Sequence, residues 1–326
     1  MVVQPKIVTL TMNPALDITT GAELVRPTDK IRCAGVRYDP GGGGINVARV
    51  AHMLGEPVLA VYPAGGPTGG LVTELLAGAG VPLHRIAIAA ATRESFTVDE
   101  HSTGKQYRFV LPGPQLTPAE QTECLEALRL AAVSADYVVA SGSLPPGVAP
   151  DFYQRVSDIC RDSGARLVLD TSGGGLTHVR SGVFLLKPSL RELRECTGAP
   201  LESTADQFAA AGELIERGIA EAVVVSMGAD GALLATPGAY RRYLAPPVEP
   251  GSGVGAGDAM VAAMVVGLSR QWSLSHSVRF GIAAGAAMLS TPGTSVCLRA
   301  DVERLLDQIP EPAPISALLA RRSPVT

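Results

Sequence analysis

Short apolar runs rich in β-branched residues alternate with longer segments of helical spacing along most of this 326-residue chain. The run 6–13 (KIVTLTMN) predicts a strand, and the segment 43–54 (GGINVARVAHML) places apolar residues at helical spacing after its glycines. The run 58–65 (VLAVYPAG) and the segment 68–80 (TGGLVTELLAGAG) repeat this order. Strands that alternate with helices in this way predict a parallel sheet.

The alternation becomes regular after Thr117. Helices are predicted over 118–133, 150–163, 189–196 and 204–218, and strands over YVVASGS, RLVLDTS, VFLLKPS and AVVVSMG. Two apolar helices at the end, 257–268 and 273–289, have the composition of buried layers. We therefore predict an α/β fold, with a doubly wound, mostly parallel sheet that carries helices on both faces.

Two segments interrupt this order. Residues 92–111 (TRESFTVDEHSTGKQYRFVL) alternate polar and apolar positions around a turn at 102–104, and residues 20–38 are similarly extended. Both segments predict β-hairpins with one exposed face, which together form a small β-sheet lid. Since no repeat or linker interrupts the chain, we predict a single domain over 1–310 and a loosely ordered, proline-rich tail over 311–326.

Composition narrows the possible functions. Hydrophobic residues make up 46% of the chain and charged residues 18%, which is typical of a globular protein. The net charge of −4 gives no electrostatic basis for binding nucleic acid. The chain shows neither a signal-peptide pattern nor an apolar run of membrane-spanning length, so we expect a cytoplasmic protein. Its five scattered cysteines predict free thiols.

The stretch GSGVGAGDAM surrounds one carboxylate, Asp258, with small residues. Three interpretations stay open from these residues alone. Glycines before a helix can bring an anion against free backbone N–H groups. The spacing of Gly251, Gly253 and Ala256 also fits the dinucleotide pattern G-x-G-x-x-A, but no strand precedes it and residues 259–300 contain no acidic side chain for a ribose. The third interpretation is a packing turn in which Asp258 complements the helix dipole.

Other strand ends carry similar residues. The stretch GGGGINVAR (41–49) places a second glycine turn before a helix that carries Asn46. Asp17, in NPALD, follows the first strand, and Ser143, in SGSLPPGV, follows another. Ligands of open α/β sheets bind at the carboxyl ends of the strands. The recurrence of small polar residues at these ends favours a ligand site over a set of unrelated turns.

These segments together resemble the PfkB-type carbohydrate kinases of the ribokinase-like fold, over about residues 6–308. GGGGINVAR is similar to the N-terminal signature of that family, and VGAGDAMVAAM to its C-terminal signature. The segments PAGGPTG, QYRFVLPGP, SGSLPPGV, FLLKPS and VRFGIAAGAA resemble the branch of bacterial minor 6-phosphofructokinases. The 1-phosphofructokinases and tagatose-6-phosphate kinases have similar sequences in many of these segments.

The resemblance implies roles for the residues that bind and activate the sugar. Asp258 would take the proton from the sugar hydroxyl, and the N–H groups of Gly255, Ala256 and Gly257 would form an anion hole. Sugar-phosphate binding is implied for Asp17, Lys30, Arg32, Gly42, Gly43, Asn46, Arg93, Arg108 and Ser143. The four basic residues among them lie on the predicted lid.

The resemblance also implies a nucleotide site and two cation sites. The residues expected at ATP are Lys187, Ser189, Ser226, Gly228, Gly231, Ala283 and Ala286. Glu192 would position Mg²⁺ through water, although Ser189 replaces the asparagine of the family's N-x-x-E motif. A K⁺ ion would contact the backbone of Ser252, Val254 and Gly293, and the sequence leaves open whether it binds.

We therefore expect an enzyme that uses ATP and Mg²⁺ to convert fructose 6-phosphate to fructose 1,6-bisphosphate. The alternatives are a kinase for fructose 1-phosphate or tagatose 6-phosphate, and a sugar-phosphate sensor without turnover. An NAD-dependent oxidoreductase is disfavoured because no acidic residue is placed to hold a ribose. The exposed faces of the lid predict a homodimer in which two lids pair, so that Lys30 or Arg32 reaches the neighbouring site.

Overall fold

The computed structural model describes residues 4–249, 251, 253–291, 295–312 and 315–316. Its strands are β1 (Ile7–Leu10), β2 (Ala15–Ala22), β3 (Ala34–Gly41), β4 (Val58–Ala64), β5 (Leu83–Ala87), β6 (Arg93–Glu100), β7 (Gln106–Val110), β8 (Tyr137–Ser141), β9 (Arg166–Asp170), β10 (Val183–Leu186), β11 (Ala220–Ser226), β12 (Ala232–Thr236), β13 (Ala239–Tyr243) and β14 (Ile315–Ser316). Its helices are α1 (Gly43–Met53), α2 (Gly66–Gly78), α3 (Pro118–Ala132), α4 (Phe152–Ser163), α5 (Gly174–Thr177), α6 (Leu190–Thr197), α7 (Thr204–Glu216), α8 (Ala256–Ser269), α9 (Leu274–Met288) and α10 (Arg299–Leu306).

Ten of the described strands form the main sheet, in the order β14-β13-β12-β11-β10-β9-β8-β1-β4-β5. The strands from β11 to β5 in this order are mutually parallel, whereas β12, β13 and β14 are antiparallel to their neighbours. The carboxyl ends of the parallel strands therefore share one edge of the sheet. The predicted fold class is confirmed.

Helices cover both faces of this sheet. Along β1, Ile7 packs into a layer that includes α1, α8 and α9, while its neighbour Val8 packs into the opposite layer, which includes α3, α4 and α7. This division follows from the alternation of side chains along a strand. Helix α8 is buried from Ala259 through Ser269, so the predicted apolar layer is confirmed.

The lid is a separate four-stranded sheet in the order β3-β2-β6-β7. The hairpin predicted over 92–111 is present as β6 and β7. The bounds predicted for the first lid segment, 20–38, were wrong, because its two strands cover 15–22 and 34–41. Strand β1 ends at Leu10, and after a short bend the chain becomes extended again at Ala15, so the lid begins directly at the edge of the main sheet.

Some elements were not predicted from the pattern. Strand β5 (LHRIA) is short and mostly exposed, as suits the outermost strand of the sheet. Strands β12 and β13 form an antiparallel hairpin around Gly238. In the tail over 311–326, Ile315–Ser316 pairs with β13, and most of the remainder lies outside the described residues. All five cysteines are free thiols. No helix among the described residues is long and apolar enough to cross a membrane.

Candidate active site

The glycine turn before α8 has the geometry of an anion-binding helix start. Gly255 adopts a left-handed conformation (φ 77°), which a residue with a side chain rarely adopts, and α8 begins at Ala256. The N–H of Ala256 donates to the carbonyl of Gly253 at 3.3 Å. No backbone acceptor among the described residues takes the N–H of Gly257, so this group and the helix dipole remain available to a ligand.

Asp258, in the first turn of α8, lies against the helix that carries Asn46. The Nδ2 of Asn46 donates to Oδ2 of Asp258 at 2.9 Å across 212 residues of sequence. Burial and, to a lesser degree, the negative charge of Asp170 raise the pKa of Asp258 to about 7. A carboxylate with a pKa near neutrality is well suited to accept a proton from a substrate.

A buried ion pair adjoins this carboxylate. Nζ of Lys187, which is only 4% exposed, lies 3.1 Å from Oδ1 of Asp170 at the ends of β10 and β9. Burial favours the neutral amine, but the carboxylates of Asp170 and Glu192 outweigh burial and raise the pKa of Lys187. The ammonium therefore stays charged beside the glycine turn, 3.8 Å from where a side chain at Gly257 would begin.

The sequence analysis did not identify Asp170 as a site residue. It ends β9 in the stretch DTSGGG, and its position at the carboxyl end of a predicted strand was the available signal. That signal is weak, since many strands end in aspartate. Its contact with Lys187 and its electrostatic effect on Asp258 identify Asp170 as part of the site.

The second glycine turn, at the start of α1, packs tightly against strand ends. A Cβ at Gly43 would lie 2.3 Å from Oγ of Ser141, and one at Gly42 would lie 2.7 Å from the side chain of Thr11. Gly42 also has a φ of 111°. Both glycines are half-buried, so their backbone is reachable from the cleft. The turn therefore brings α1, with Asn46, against the carboxyl edge of the sheet.

Asp17 and Arg93 lie close together at the base of the lid, in the region predicted to bind the sugar acceptor (the acceptor side). Burial raises the pKa of Asp17 to about 6, although the nearby guanidinium groups of Arg93 and Arg108 lower it. Nη2 of Arg93 donates to the carbonyl of Asn13 at 3.2 Å, which directs the guanidinium to the edge of the sheet. Ser143 is exposed and accepts a hydrogen bond from Nδ2 of Asn13 at 3.1 Å.

Lys30 and Arg32 lie apart from this cluster. Both are exposed on the loop 23–33 between β2 and β3, and no hydrogen bond or ion pair within the described part of the chain involves their side chains. Among the predicted site residues of the lid, the fold brings Arg93 and Arg108 close to Asp17. A role for Lys30 and Arg32 stays a prediction that concerns a second subunit.

A cavity of about 650 Å³ opens on the other side of the glycine turn. Its lining includes the predicted nucleotide residues Ser226, Gly228, Gly231 and Ala286, together with Ala256, Gly257 and Met260. Most of its wall is apolar, which suits a purine base. Ala283 does not line this cavity, because it is fully buried on the face of α9 that packs into the core.

Glu192 retains one oxygen atom for a magnesium site. Its Oε2 accepts from the N–H and the hydroxyl of Ser189, each at 2.7 Å, in a capping box that begins α6. No hydrogen bond from the described residues reaches its Oε1. Mg²⁺ that binds with a nucleotide needs only one or two carboxylates and keeps several waters, so Glu192 fits this role.

The predicted potassium site falls largely outside the described residues. Ser252 and Gly293 are not described, and Val254 is buried just before Gly255. The backbone contacts assigned to these residues stay a prediction.

A doubly wound, mostly parallel sheet with a small β-sheet lid over one side is the ribokinase-like fold. Ribokinase from Arabidopsis thaliana shares this fold at a TM-score of 0.75 and 22% identity, over 93% of this chain and 99% of that one. The chain belongs to the pfkB family of carbohydrate kinases, whose family model matches residues 10–301.

Individual relatives are known as phosphofructokinases. The chain is 65% identical to the ATP-dependent 6-phosphofructokinase isozyme 2 of Mycobacterium tuberculosis over 312 residues, 96% of this chain and 92% of the relative. A 1-phosphofructokinase of Xanthomonas campestris is 35% identical over 80% of this chain and 83% of that protein. The phosphofructokinase-2 of Escherichia coli, solved in complex with fructose 6-phosphate, has a TM-score of 0.87 and 36% identity, with 93% and 99% covered. Other structures of that enzyme contain potassium or show a tetrameric inhibited form.

Proposed function

We propose that this protein transfers the γ-phosphoryl group of ATP to the 1-hydroxyl of fructose 6-phosphate, yielding fructose 1,6-bisphosphate and ADP. The proposal rests on the position of Asp258 between two regions that are lined by different kinds of residues. Gly257 beside it lines the 650 Å³ cavity, and Asn46 joins it to the helix that adjoins Asp17 and the lid. The first region suits a nucleotide and the second a phosphorylated sugar.

The proposed reaction uses Asp258 as the base. The sugar oxygen attacks the γ-phosphorus, the bond from that phosphorus to the β-phosphate oxygen breaks, and the hydroxyl proton passes to Asp258. In a loose transition state the proton leaves late, so the aim of the carboxylate matters more than its basicity. The hydrogen bond from Asn46 fixes that aim.

The developing negative charge on the phosphoryl group would be stabilised by backbone N–H groups and by an ammonium group near Asp258. The N–H groups at Gly255–Gly257 and the ammonium of Lys187 adjoin the space in front of Asp258. Asp170 holds Lys187 in place through the 3.1 Å ion pair. Glu192 would hold Mg²⁺, which would supply positive charge to neutralise the nucleotide phosphates.

The choice of fructose 6-phosphate over other sugars is supported by the relatives. The name of the 65% identical relative specifies 6-phosphofructokinase, and the E. coli enzyme was solved with fructose 6-phosphate. The cations Arg93 and Arg108 near Asp17 suit a substrate with both a phosphate and hydroxyl groups. A kinase for fructose 1-phosphate is the second candidate, because a 1-phosphofructokinase is also similar.

Two further features belong to the proposal. A K⁺ ion would bind to backbone carbonyls near Val254, which is supported by the potassium complex of the E. coli relative. The functional unit would be a dimer formed through the lids, which is supported by their exposed apolar residues.

The proposal is tested by measuring ADP release with four acceptors: fructose 6-phosphate, fructose 1-phosphate, tagatose 6-phosphate and fructose. The highest kcat/KM is expected with fructose 6-phosphate, and the Asp258→Asn variant serves as the inactive control. A preference for fructose 1-phosphate would favour the second candidate. Absence of turnover with all four acceptors would leave a sugar-phosphate sensor as the better interpretation.

A further inference from the structure

Arg49 is a largely buried cation that joins the lid to the helix carrying Asn46. Its side chain is only 9% exposed. Its Nη1 donates to the carbonyl of Pro40 at 3.2 Å and to Oδ1 of Asn46 at 3.4 Å. Its Nη2 lies 3.4 Å from Oδ1 of Asp39. Since Asp39 and Pro40 belong to β3, one guanidinium contacts both the lid and α1.

The contact with Arg49 determines which atom of Asn46 faces the base. Asn46 accepts from Arg49 through Oδ1 and donates from Nδ2 to Asp258. An amide has one donor end and one acceptor end, whereas an arginine side chain only donates. Arg49 therefore keeps the amide oxygen on its own side and the NH₂ group on the side of Asp258. A continuous chain of side-chain contacts therefore runs from Asp39 through Arg49 and Asn46 to Asp258.

Asp39 is the end of this chain of side-chain contacts that lies in the lid. Its carboxylate is buried and also pairs with Arg37, whose Nε lies 2.8 Å from Oδ2. Asp39 stands directly opposite Asp17 across the ladder between β2 and β3. Two carboxylates in that arrangement repel each other, and Arg49 lowers the pKa of Asp17 electrostatically. Arg49 is thus coupled to the acceptor side as well as to the base.

We propose that Arg49 is a positioning residue that ties the base of the lid to Asn46 and thereby keeps Asp258 aimed at the acceptor hydroxyl. The inference rests on the proposed function, because it assigns to Asp258 the role of base. If Arg49 served only to neutralise Asp39, its contact with Asn46 would not be needed. Arg37 already forms an ion pair with Asp39 at a shorter distance. A displacement of about 1 Å at a reacting group can cost about a hundredfold in rate, so this support acts on the chemical step.

Two substitutions of Arg49 and one matched control test the proposal. Arg49→Lys keeps a charge beside Asp39, but a single ammonium does not reproduce the planar set of donors that reaches Pro40 and Asn46 together. Arg49→Met removes all of these contacts. We expect kcat to fall about tenfold for lysine and about a hundredfold for methionine, with KM for ATP unchanged. The control, Arg37→Met, removes the other cation from Asp39 and should keep kcat within about twofold of wild type.

The pH dependence of kcat distinguishes positioning from a general loss of stability. The charged groups around Asp258 are Asp17, Asp170 and Lys187. The hydrogen bond from Asn46 lowers the pKa of Asp258, so its loss should raise that pKa and move the acidic limb to higher pH in the Arg49 variants. In addition, Asn46→Ala combined with Arg49→Met should lose little more activity than Asn46→Ala alone, because both changes interrupt one chain of contacts.

Three results would overturn the proposal: equal losses in Arg49→Met and Arg37→Met, an unmoved acidic limb, or additive losses in the double variant. Melting temperatures are measured for every variant, and if Arg49→Met unfolds, Arg49→Lys decides the question. If the wild type does not phosphorylate fructose 6-phosphate, the same comparison uses whichever sugar of the four is turned over. Failure of the proposed function and failure of this inference are therefore told apart.

Discussion

Asp258 has surroundings that control both its charge and its orientation. Burial at the start of α8 and the nearby Asp170 favour its neutral form, while Asn46 and Lys187 favour the carboxylate. These opposing influences leave the pKa of Asp258 at about 7. The hydrogen bond from Asn46 adds direction, since it occupies one oxygen and leaves the other for the substrate.

Replacing Asp258 by Asn should remove the base and leave the shape of the site nearly unchanged. We expect kcat to fall about a thousandfold or more, because a positioned base acts only in the transition state. The dissociation constants of ATP and fructose 6-phosphate, measured by calorimetry, should change little. Turnover close to that of wild type would exclude Asp258 as the base.

The pH profile of the wild type should show an acidic limb near pH 7. The base works only when it is ionised, and because its pKa is raised to about 7, kcat/KM should fall about tenfold per unit below that pH. Asp170→Asn removes a negative charge that raises this pKa, so the limb should move to lower pH. The control Asp162→Asn changes an exposed carboxylate on α4 and should leave the profile unchanged. A limb in Asp170→Asn that coincides with wild type would argue against this coupling.

At the scale of the elements, the two glycine turns serve different purposes. At Gly257 a Cβ would find nothing closer than Nζ of Lys187 at 3.8 Å, so the space in front of this residue is open for a ligand. At Gly44 a Cβ would lie 2.5 Å from Oγ1 of Thr11 and 2.7 Å from the carbonyl of Leu10. The first turn leaves open space in front of Gly257, and the second lets α1 approach β1.

Substitutions at these two glycines should therefore have opposite signatures. Gly257→Val should abolish activity, because the side chain fills the proposed anion hole, while the melting temperature stays close to that of wild type. Gly44→Ala should lower stability by about 1–3 kcal/mol, since neighbouring backbone must move. Thermal melts and initial rates on both variants make the comparison. An active Gly257→Val would mean that the phosphoryl group is transferred elsewhere.

At the scale of the whole molecule, the lid exposes apolar residues that a small sheet normally covers. Val36, Tyr38 and Phe109 lie on one face of its two outer strands, β3 and β7, and are between 48% and 57% exposed. An isolated four-stranded sheet with one bare apolar face is poorly stabilised. Pairing with the lid of a second subunit would cover this surface and bring the loop 23–33 near the neighbouring site.

Mixing two inactive variants tests whether that loop acts across the dimer. One variant is Asp258→Asn, and the other combines Lys30→Ala with Arg32→Ala. If the cations serve the neighbouring subunit, a mixed dimer contains one intact site and one doubly damaged site, so activity should return on subunit exchange. A mixture that stays inactive, with heterodimers shown by native mass spectrometry, would place these cations in their own subunit or outside the site.

Much of the fold and the chemistry was encoded locally and could be predicted from the sequence. The glycine turns, the single carboxylate at Asp258 and the small polar residues after several strands are local features, because a turn conformation or a helix start depends on neighbouring residues. The strand and helix alternation likewise predicted the parallel sheet. Lid boundaries were less accurate, because the chain bends only briefly before Pro14 and becomes extended again at Ala15.

Tertiary structure alone decided which of these residues meet. Asn46 and Asp258 are 212 residues apart, and no local pattern encodes their hydrogen bond. The pairing of Lys187 with Asp170 depends on β9 and β10 being neighbours in the sheet, which is a property of the strand order. Burial likewise separates Ala283, which packs into the core, from Ala286, which lines the cavity. The sequence by itself determined the kinds of groups that this protein carries, and the packing of distant elements determined their distances, their charges and their aim.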